Sequence, residues 1–522
     1  MSAPALLSRA SDRAGTEAGP AAIPPLPRLR RLREDLLAAP YGLCSQKAEL
    51  VTEYFRSQEP VDPWAERIAR LHFALFRRSL GRNLGSGVPQ PRWQLAASRA
   101  LQRLYARREA HVRREPAVVS WARALAWTLE RVPLRIHDHE LVVGNASSQR
   151  VGAPIHPELG GLLMLPELRR LSGRGTNALR TTPDQVRRLE EEILPWWFSR
   201  SVQSRAGMLA DDPELANVLV RGRHFVLTQF AGISHVTPDH PRVLALGWEG
   251  LLRQTEEARA GARTEDERAF CDAAAIAARA ACDFGARWSR FCAEAARRET
   301  RPERVRELLE LSAILARVPA RPARTFHEAV QSVFLNHVML HQESFQHGIS
   351  FGRLDRTLAP YYARDLAEGR ITPERAVEIL GCFLGKAAEL LPLFNAMATE
   401  YFSGLSSASG ITLGGTDEEG HDATSPVSFL MLEAYDRMRL RQPNLHLRVH
   451  PDSDPRLLAR AAEVVKGGGG MPAFFNDAAI VPALEARGVP RSEARDYSIV
   501  GCVEWGVPGR SFPAAGAAFL SL

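Results

Sequence analysis

From about residue 325 onward, helix-length amphipathic segments alternate with short apolar runs, and this alternation is the feature that most limits the fold. The runs are 411–413, 445–449, 473–475 and 498–500, and each is bounded by Gly, Pro or Asp. Short apolar runs with such boundaries are typical of strands, and strands that alternate with helices build parallel sheets. The sequence therefore predicts an α/β barrel or a layered α/β sheet.

The preceding part of the chain has a different pattern. Apolar residues recur at helical spacing from Leu29 to about Arg135 and again from about Pro183 to Arg317, which predicts mostly helix. Residues 1–26 are rich in Ala, Pro, Gly and Ser and lack such periodicity. We therefore predict a disordered tail over residues 1–26.

The composition excludes several classes of protein. The net charge of +7 comes almost entirely from arginine, which is scattered beside Glu and Asp instead of forming the basic stripe of a nucleic-acid binder. The sequence contains no run of about 18 uncharged apolar residues, so no membrane span is predicted. Six cysteines among 522 residues are too few for a disulfide scaffold, so a reducing, cytoplasmic location is expected.

Two short histidine-containing segments resemble metal-ligand clusters, but neither has support elsewhere in the chain. They are His137–His139 and His156–Glu158. Because a metal site needs three or four ligands at compatible spacing, we predict no metal site.

The last strand-like run ends in Gly501-Cys502-Val503-Glu504. A glycine before the cysteine permits a tight turn that presents the thiol at the tip of a loop, and a carboxylate two residues later can lie beside the same pocket. From spacing alone, Cys502 is a candidate nucleophilic or redox cysteine, and the alternative is a buried cysteine at the end of a strand.

The surrounding segments favour a catalytic cysteine. Taken in order, they resemble the glycyl radical enzymes of the pyruvate formate-lyase and glycerol dehydratase family, from about residue 28 to the last residue. The segments that carry this resemblance are Glu140–Asn145, Glu191–Trp196, Ser234–Asp239, Glu343–Ser344, His347–Asp355, Arg441–His450, Pro472–Asp477, Ala494–Tyr497 and Gly501–Glu504.

The resemblance implies a fold and a set of site residues. The implied fold is a ten-stranded α/β barrel of two half-barrels surrounded by helices, occupying residues 27–522 and truncated after the cysteine loop. Cys502 would carry the thiyl radical, and Glu504 would be the neighbouring acid–base group. The residues expected to bind substrate are His235, His347, Trp505 and Phe345.

The resemblance also implies a cofactor and partners. The cofactor is a radical on a glycine, formed by a radical-SAM activating enzyme that carries an iron–sulfur cluster, and the enzyme would be a homodimeric lyase of anaerobic bacterial metabolism. The Arg-Val-x-Gly-Tyr segment that carries the radical is absent from this sequence. Because the chain stops within an apolar run, we expect a truncated form of a longer enzyme rather than complementation by a second chain.

Several residues differ from the family pattern at positions that bear on the choice of substrate. Gly501 replaces the first of two adjacent cysteines, which argues against acetyl transfer to coenzyme A. Gly348 and Gly516 replace groups that bind diol hydroxyls, and Trp505 replaces a proline. We therefore predict cleavage of a C–C, C–O or C–N bond in a small substrate that is bulkier than glycerol, such as a carboxylate-bearing one. The alternatives are a catalytically silent scaffold and a thiol-dependent hydrolase that pairs Cys502 with His235 or His347.

Overall fold

The computed structural model describes residues 23–83, 92–201, 227–228, 235–343, 347–401, 404, 406–511 and 519–520. Most of the predicted tail, residues 1–22, lies outside the described residues, as do Phe345 and Gly516. The first helix of the described residues begins at Pro27, one residue after the predicted end of the tail. The division into a tail over 1–26 and one domain over 27–522 stays a prediction.

Helices make up most of the described chain, and many of them begin at a proline. Proline is favoured in the first helical turn because its missing N–H would have no intrahelical acceptor there. The α-helices are α1 Pro27–Ala38, α2 Gln46–Gln58, α3 Pro63–Asn83, α4 Arg92–Glu109, α5 Ala117–Arg131, α6 Pro183–Arg188, α7 Leu194–Trp197, α8 His240–Ala260, α9 Glu265–Arg298, α10 Pro302–Leu315, α11 Phe326–Glu343, α12 Leu354–Ala367, α13 Pro373–Ala388, α14 Ala396–Tyr401, α15 Pro426–Met438, α16 Pro455–Lys466, α17 Asp477–Glu485 and α18 Arg491–Arg495.

The strands are short, and the late ones coincide with the apolar runs of the sequence. They are β1 Tyr41–Cys44, β2 Val151–Pro154, β3 Leu227–Thr228, β4 Gly410–Gly414, β5 Asn444–Val449, β6 Ala473–Asn476, β7 Ser498–Val500, β8 Glu504–Gly506 and β9 Phe519–Leu520. Two 3-10 turns, Gly161–Met164 and Leu168–Gly173, and a π-helical turn, Leu189–Ile193, complete the regular elements of the described residues.

Five of the nine described strands form two parallel groups, and the other four form the antiparallel pairs β3–β9 and β7–β8. In the first, β1 pairs with β2, and parallel bridges extend the pair to Arg180 on one side and Leu390 on the other. In the second, β4, β5 and β6 form a parallel sheet that parallel bridges extend to Gly352 and, through Ile349, to Val236. The predicted α/β architecture, with parallel strands in two halves among many helices, is confirmed.

The β4–β5–β6 sheet has one face that packs against the hydrophobic core and an opposite face, called the inner face here. Successive residues of a strand point to opposite faces. Ile411 and Leu413 of β4 and Leu445 and Leu447 of β5 belong to the large hydrophobic core that the helices cover. The intervening residues Thr412, His446 and Arg448 are also buried, on the opposite face of the sheet. This polar inner face receives the cysteine segment. Within the described part of the chain, no helix is both long and apolar enough to cross a membrane.

Candidate active site

The strand before Cys502 lies on the inner face of the β4–β5–β6 sheet. The backbone N–H of Ile499 donates to Thr412 Oγ1 at 3.0 Å, and Arg448 donates to the carbonyl oxygen of Tyr497 at 2.8 Å. Just beyond the strand, the N–H of Gly501 donates to Ser350 Oγ at 3.0 Å. Side chains of the inner face thus bind the backbone of the cysteine segment directly, which holds the segment against the sheet.

The segment then reverses direction at Gly501. Strands β7 and β8 pair antiparallel, with Val500 opposite Glu504, so the turn between them carries Cys502. Gly501 has a φ of +60°, a backbone conformation that strains any residue with a side chain, and a Cβ there would come within 2.7 Å of His235 Nδ1. The predicted role of this glycine in a tight turn is confirmed. Cys502 is exposed at the tip of the turn.

Glu504 folds back onto this turn and onto a histidine. Its Oε2 accepts the backbone N–H groups of Cys502 and Val503, both at 3.0 Å, and its Oε1 lies 2.5 Å from His235 Nδ1. Burial by itself raises the pKa of Glu504, but the hydrogen bonds from His235 and from the Val503 N–H outweigh it and lower the pKa to about 2. Glu504 is therefore a carboxylate at neutral pH.

Two histidines form a chain that ends at this carboxylate. An ionised carboxylate only accepts hydrogen bonds, so the N–H of His235 Nδ1 is the donor and Glu504 Oε1 is the acceptor. On the other side of the ring, His235 Nε2 lies 3.1 Å from His347 Nδ1. Burial, with a smaller contribution from His235, lowers the pKa of His347 to about 4, so His347 is neutral above that pH. The ring of His347 also packs edge-on against Phe394, with centroids 5.3 Å apart.

The thiol of Cys502 is protonated at neutral pH. Desolvation by the surrounding protein raises the pKa of Cys502, and the negative charge of Glu504 raises it further. Hydrogen-atom transfer needs an S–H bond, whereas nucleophilic catalysis needs a thiolate. The surroundings of Cys502 therefore suit the first kind of chemistry.

Comparison with known proteins gives a family match. A family model described as pyruvate formate lyase-like matches residues 89–522. The chain belongs to this family. It is 31% identical over 424 residues to isethionate sulfite-lyase of Nitratidesulfovibrio vulgaris, covering 78% of this chain and 51% of that protein. The chain thus spans about half the length of this curated relative.

Solved structures show the same relationship and confirm the predicted glycyl radical enzyme fold. A structure from Roseburia inulinivorans, described for 1,2-propanediol dehydration, superposes with a TM-score of 0.80 at 28% identity and covers 97% of this chain and 57% of its own. A glycyl radical enzyme from Archaeoglobus fulgidus superposes with a TM-score of 0.78 at 32% identity, covering 94% and 57% respectively.

Four of the six predicted site residues lie together, one lies on the opposite face of β8, and one lies outside the described residues. Cys502, Glu504, His235 and His347 come together as described above. Trp505 lies next to Glu504 on β8, where strand alternation directs it to the opposite face, and it is 36% exposed. Phe345 falls outside the described residues. Roles for Trp505 and Phe345 in substrate binding stay predictions.

Sequence reasoning missed two residues on the same inner surface. Ser350 Oγ accepts the N–H groups of both Gly410 and Gly501, each at 3.0 Å, and so ties the cysteine turn to β4. His446 of β5 is completely buried. The signal for His446 in the sequence was its position between two apolar residues, Leu445 and Leu447, within a strand-like run. No group of three or more potential metal ligands occurs among the residues that the structure describes.

Gly348, which replaces a diol-binding group of the family, leaves no room for a side chain. Its φ is +68°, and a Cβ there would lie 2.2 Å from His235 Cδ2. The ring of His235 therefore occupies the space that a side chain at position 348 would need. Without a side chain at position 348, the ring of His235 has space to lie between Glu504 and His347.

We expect Gly348→Ala to lower the free energy of unfolding by about 2–4 kcal/mol, from backbone strain and the clash with His235. Gly369→Ala is the matched control, because Gly369 has nearly the same φ, +69°, and a Cβ added there would meet no atom within 4 Å, so it should lose only about 1 kcal/mol. Urea unfolding measures both. Equal losses for the two variants would show that His235 does not occupy this space.

Proposed function

We propose that this chain forms the barrel and the cysteine loop of a glycyl radical lyase that cleaves a bond from carbon to carbon, oxygen or nitrogen in a small substrate. The observation that carries the proposal is geometric: Cys502 lies exposed at the tip of a turn that is fixed to the inner face of a parallel sheet and held by Glu504 and His235. A structure described for 1,2-propanediol dehydration agrees with it, because loss of water breaks a carbon–oxygen bond, while the relative named a sulfite-lyase agrees with a lyase but releases sulfite from a carbon–sulfur bond.

The residues present fit the cofactor that the family implies. Cys502 is exposed, so a second segment can approach its thiol, and its raised pKa keeps the hydrogen atom on sulfur. In the complete enzyme, a glycyl radical supplies the unpaired electron. We propose that its glycine lies outside the 522 residues of this chain and that a radical-SAM enzyme with an iron–sulfur cluster generates it. A homodimer and a cytoplasmic location stay predictions.

Glu504 is proposed to move the proton of the reaction. A carboxylate can accept a proton from a substrate hydroxyl or amine, provided that water is excluded and that its pKa, here lowered to about 2, rises toward the working pH when substrate replaces hydrogen bonds that Glu504 now accepts. The hydrogen bond to His235 fixes the direction of Oε1, and the two backbone N–H groups fix Oε2. His235 Nε2 lies 3.1 Å from His347 Nδ1, so a hydrogen-bonded path runs from Glu504 through His235 to His347. His235 and His347 are therefore proposed to orient substrate and to carry protons.

The geometry disfavours the thiol-hydrolase alternative. A hydrolase would need the Cys502 thiolate, and a neighbouring carboxylate opposes that ionisation. Among the described residues, no hydrogen bond joins the Cys502 sulfur to His235 or His347, and His235 is instead engaged by Glu504. The catalytically silent scaffold remains an outcome of the experiment below.

The test uses the complete enzyme, activated anaerobically and offered isethionate, glycerol, 1,2-propanediol, trans-4-hydroxy-L-proline, choline and arylacetates. We expect oxygen-sensitive turnover of at least one compound, with glycerol and propanediol poor because Gly348 offers no hydroxyl-binding group. Glu504→Gln should lower kcat by at least about 100-fold, since it removes the proton acceptor but keeps the shape.

Glu463→Gln is the matched control, because Glu463 is a surface residue of α16 that pairs with Arg460, and its kcat should equal that of the unaltered enzyme. Turnover that persists in air would favour the hydrolase. A radical signal without reaction on any compound would favour the silent scaffold.

A further inference from the structure

Three successive backbone N–H groups of the cysteine turn are bound by side chains. Those of Cys502 and Val503 donate to Glu504 Oε2, both at 3.0 Å. That of Gly501 donates to Ser350 Oγ, also at 3.0 Å. Glu504 belongs to the turn itself, at the start of β8, so its two hydrogen bonds fix the internal shape of the turn. The hydrogen bond from Gly501 to Ser350 is different, because it joins the turn to another part of the barrel.

Ser350 is itself held firmly on both sides. It is completely buried, and its backbone N–H donates to the carbonyl oxygen of Val236 at 2.8 Å, next to the parallel bridge between Val236 and Ile349. Its Oγ also accepts the N–H of Gly410 in β4 at 3.0 Å. A hydroxyl oxygen accepts two hydrogen bonds, so the N–H groups of Gly410 and Gly501 together use its full capacity. The turn is therefore anchored to a fixed point of the sheet.

The turn has a reason to move if this anchor is removed. Gly501 is buried, and a buried N–H that loses its acceptor keeps its full desolvation cost. The turn can lower that cost only by shifting until the N–H meets water or another acceptor. The seat on β4 is close, since a Cβ added to Gly410 would lie 3.2 Å from the carbonyl oxygen of Ile499. Because Gly501 directly precedes Cys502, a shift of the turn also moves the thiol.

We propose that Ser350 is a positioning residue of the radical reaction, whose hydroxyl fixes where the Cys502 thiol lies relative to the substrate and the radical glycine. This inference rests on the proposed function and adds to it a residue that needs no contact with either reactant. Transfer of a hydrogen atom between sulfur and carbon requires the two atoms in near contact, and a displacement of about 1 Å can slow a reaction about 100-fold.

The test replaces Ser350 with alanine in the complete enzyme, activated anaerobically. Alanine fits the buried position but accepts no hydrogen bond. We expect kcat per glycyl radical, with radicals counted by electron paramagnetic resonance, to fall by about 10- to 100-fold. KM should stay within about threefold, because His235 and His347 lie outside the turn and remain in place. Dividing by the number of radicals removes any effect of a smaller folded fraction.

A second measurement needs no radical. Iodoacetamide alkylates a thiol in its thiolate form, and burial and the charge of Glu504 oppose that form by raising the pKa of Cys502. A turn released from Ser350 is less buried. Alkylation of Cys502 in the complete enzyme before activation, followed by mass spectrometry of its peptide, should therefore be faster in Ser350→Ala by about threefold or more.

Thr52→Val is the matched control. Thr52 is also buried, and its hydroxyl accepts the indole N–H of Trp197 at 2.9 Å, but it lies on α2 and binds no part of the cysteine segment. Valine keeps the shape and removes the acceptor. The urea midpoint should fall, as it should for Ser350→Ala, while kcat per radical and the alkylation rate of Cys502 stay unchanged.

The outcomes separate this inference from the proposed function. If the unaltered enzyme reacts and kcat per radical falls no further in Ser350→Ala than in Thr52→Val, the positioning role is overturned while the lyase stands. A raised KM with unchanged kcat would also overturn it, because Ser350 would then act on binding. If the unaltered enzyme shows no radical-dependent turnover, the proposed function fails, and the alkylation rate alone decides whether Ser350 holds Cys502 in place. Alkylation at the unaltered rate would overturn the positioning role in that case too.

Discussion

Replacing Cys502 with serine should lower the turnover of the complete enzyme by at least about 1000-fold, which corresponds to a loss of about 4 kcal/mol of transition-state stabilisation. Serine has nearly the same shape, but its O–H bond is much stronger than S–H and does not yield its hydrogen atom to a carbon-centred radical. Because Cys502 is exposed at the tip of a turn, the substitution should not affect folding. The measurement is anaerobic turnover on the substrate panel.

Electron paramagnetic resonance on the same sample separates chemistry from activation. The glycine-centred signal should form in the Cys502→Ser enzyme as it does in the unaltered one, because the thiol acts after activation. Cys271→Ser is the control, since Cys271 lies on α9 and has no role in the proposed site; it should retain full activity. Activity of the Cys502→Ser enzyme at a tenth of the unaltered level or better would exclude the thiyl role.

Asp477→Ala should lower the free energy of unfolding by about 3–5 kcal/mol, the usual effect of removing one partner of a buried ion pair. Arg448 is fully buried and donates to both carboxylate oxygens of Asp477, at 2.9 and 2.8 Å. The hydroxyl of Tyr497 donates to the same carboxylate at 2.7 Å. Without Asp477, a buried guanidinium would lose its counter-charge directly beneath the cysteine segment.

A matched surface pair provides the comparison. Arg259 and Asp272 also form an ion pair, but both side chains are nearly half exposed, so Asp272→Ala should change the free energy of unfolding far less than Asp477→Ala. Urea unfolding of the two variants measures the difference. A loss for Asp477→Ala as small as that for Asp272→Ala would show that the buried pair does not hold β7 in place.

The local elements of the fold were largely readable from the sequence. The apolar runs at 411–413, 445–449, 473–475 and 498–500 coincide with β4, β5, β6 and β7. Strands are predictable here because each run is flanked by residues that interrupt regular structure, and helix starts are predictable where proline occupies the first turn. The turn at Gly501 was equally readable, because the need for a positive φ is a local property of the backbone.

The arrangement of the site was decided by tertiary structure. His235 and Glu504 are separated by 269 positions, and His235 and His347 by 112, so no local pattern predicts that the three side chains form a hydrogen-bonded chain. Likewise, a histidine inside an apolar run, as at His446, becomes informative only when the pairing of β4 with β5 shows which face it occupies.

The sequence by itself therefore determined which segments become helix or strand and which residue, Cys502, lies at the tip of a turn, because those properties depend on neighbours along the chain. Only the tertiary structure decided that His235 directs Glu504 and lowers its pKa, that burial and Glu504 raise the pKa of Cys502, and that His446 is buried with no partner among the described residues. Ionisation and hydrogen bonding depend on which groups meet across the barrel, and burial changes the energy of a charge more than any sequence neighbour does.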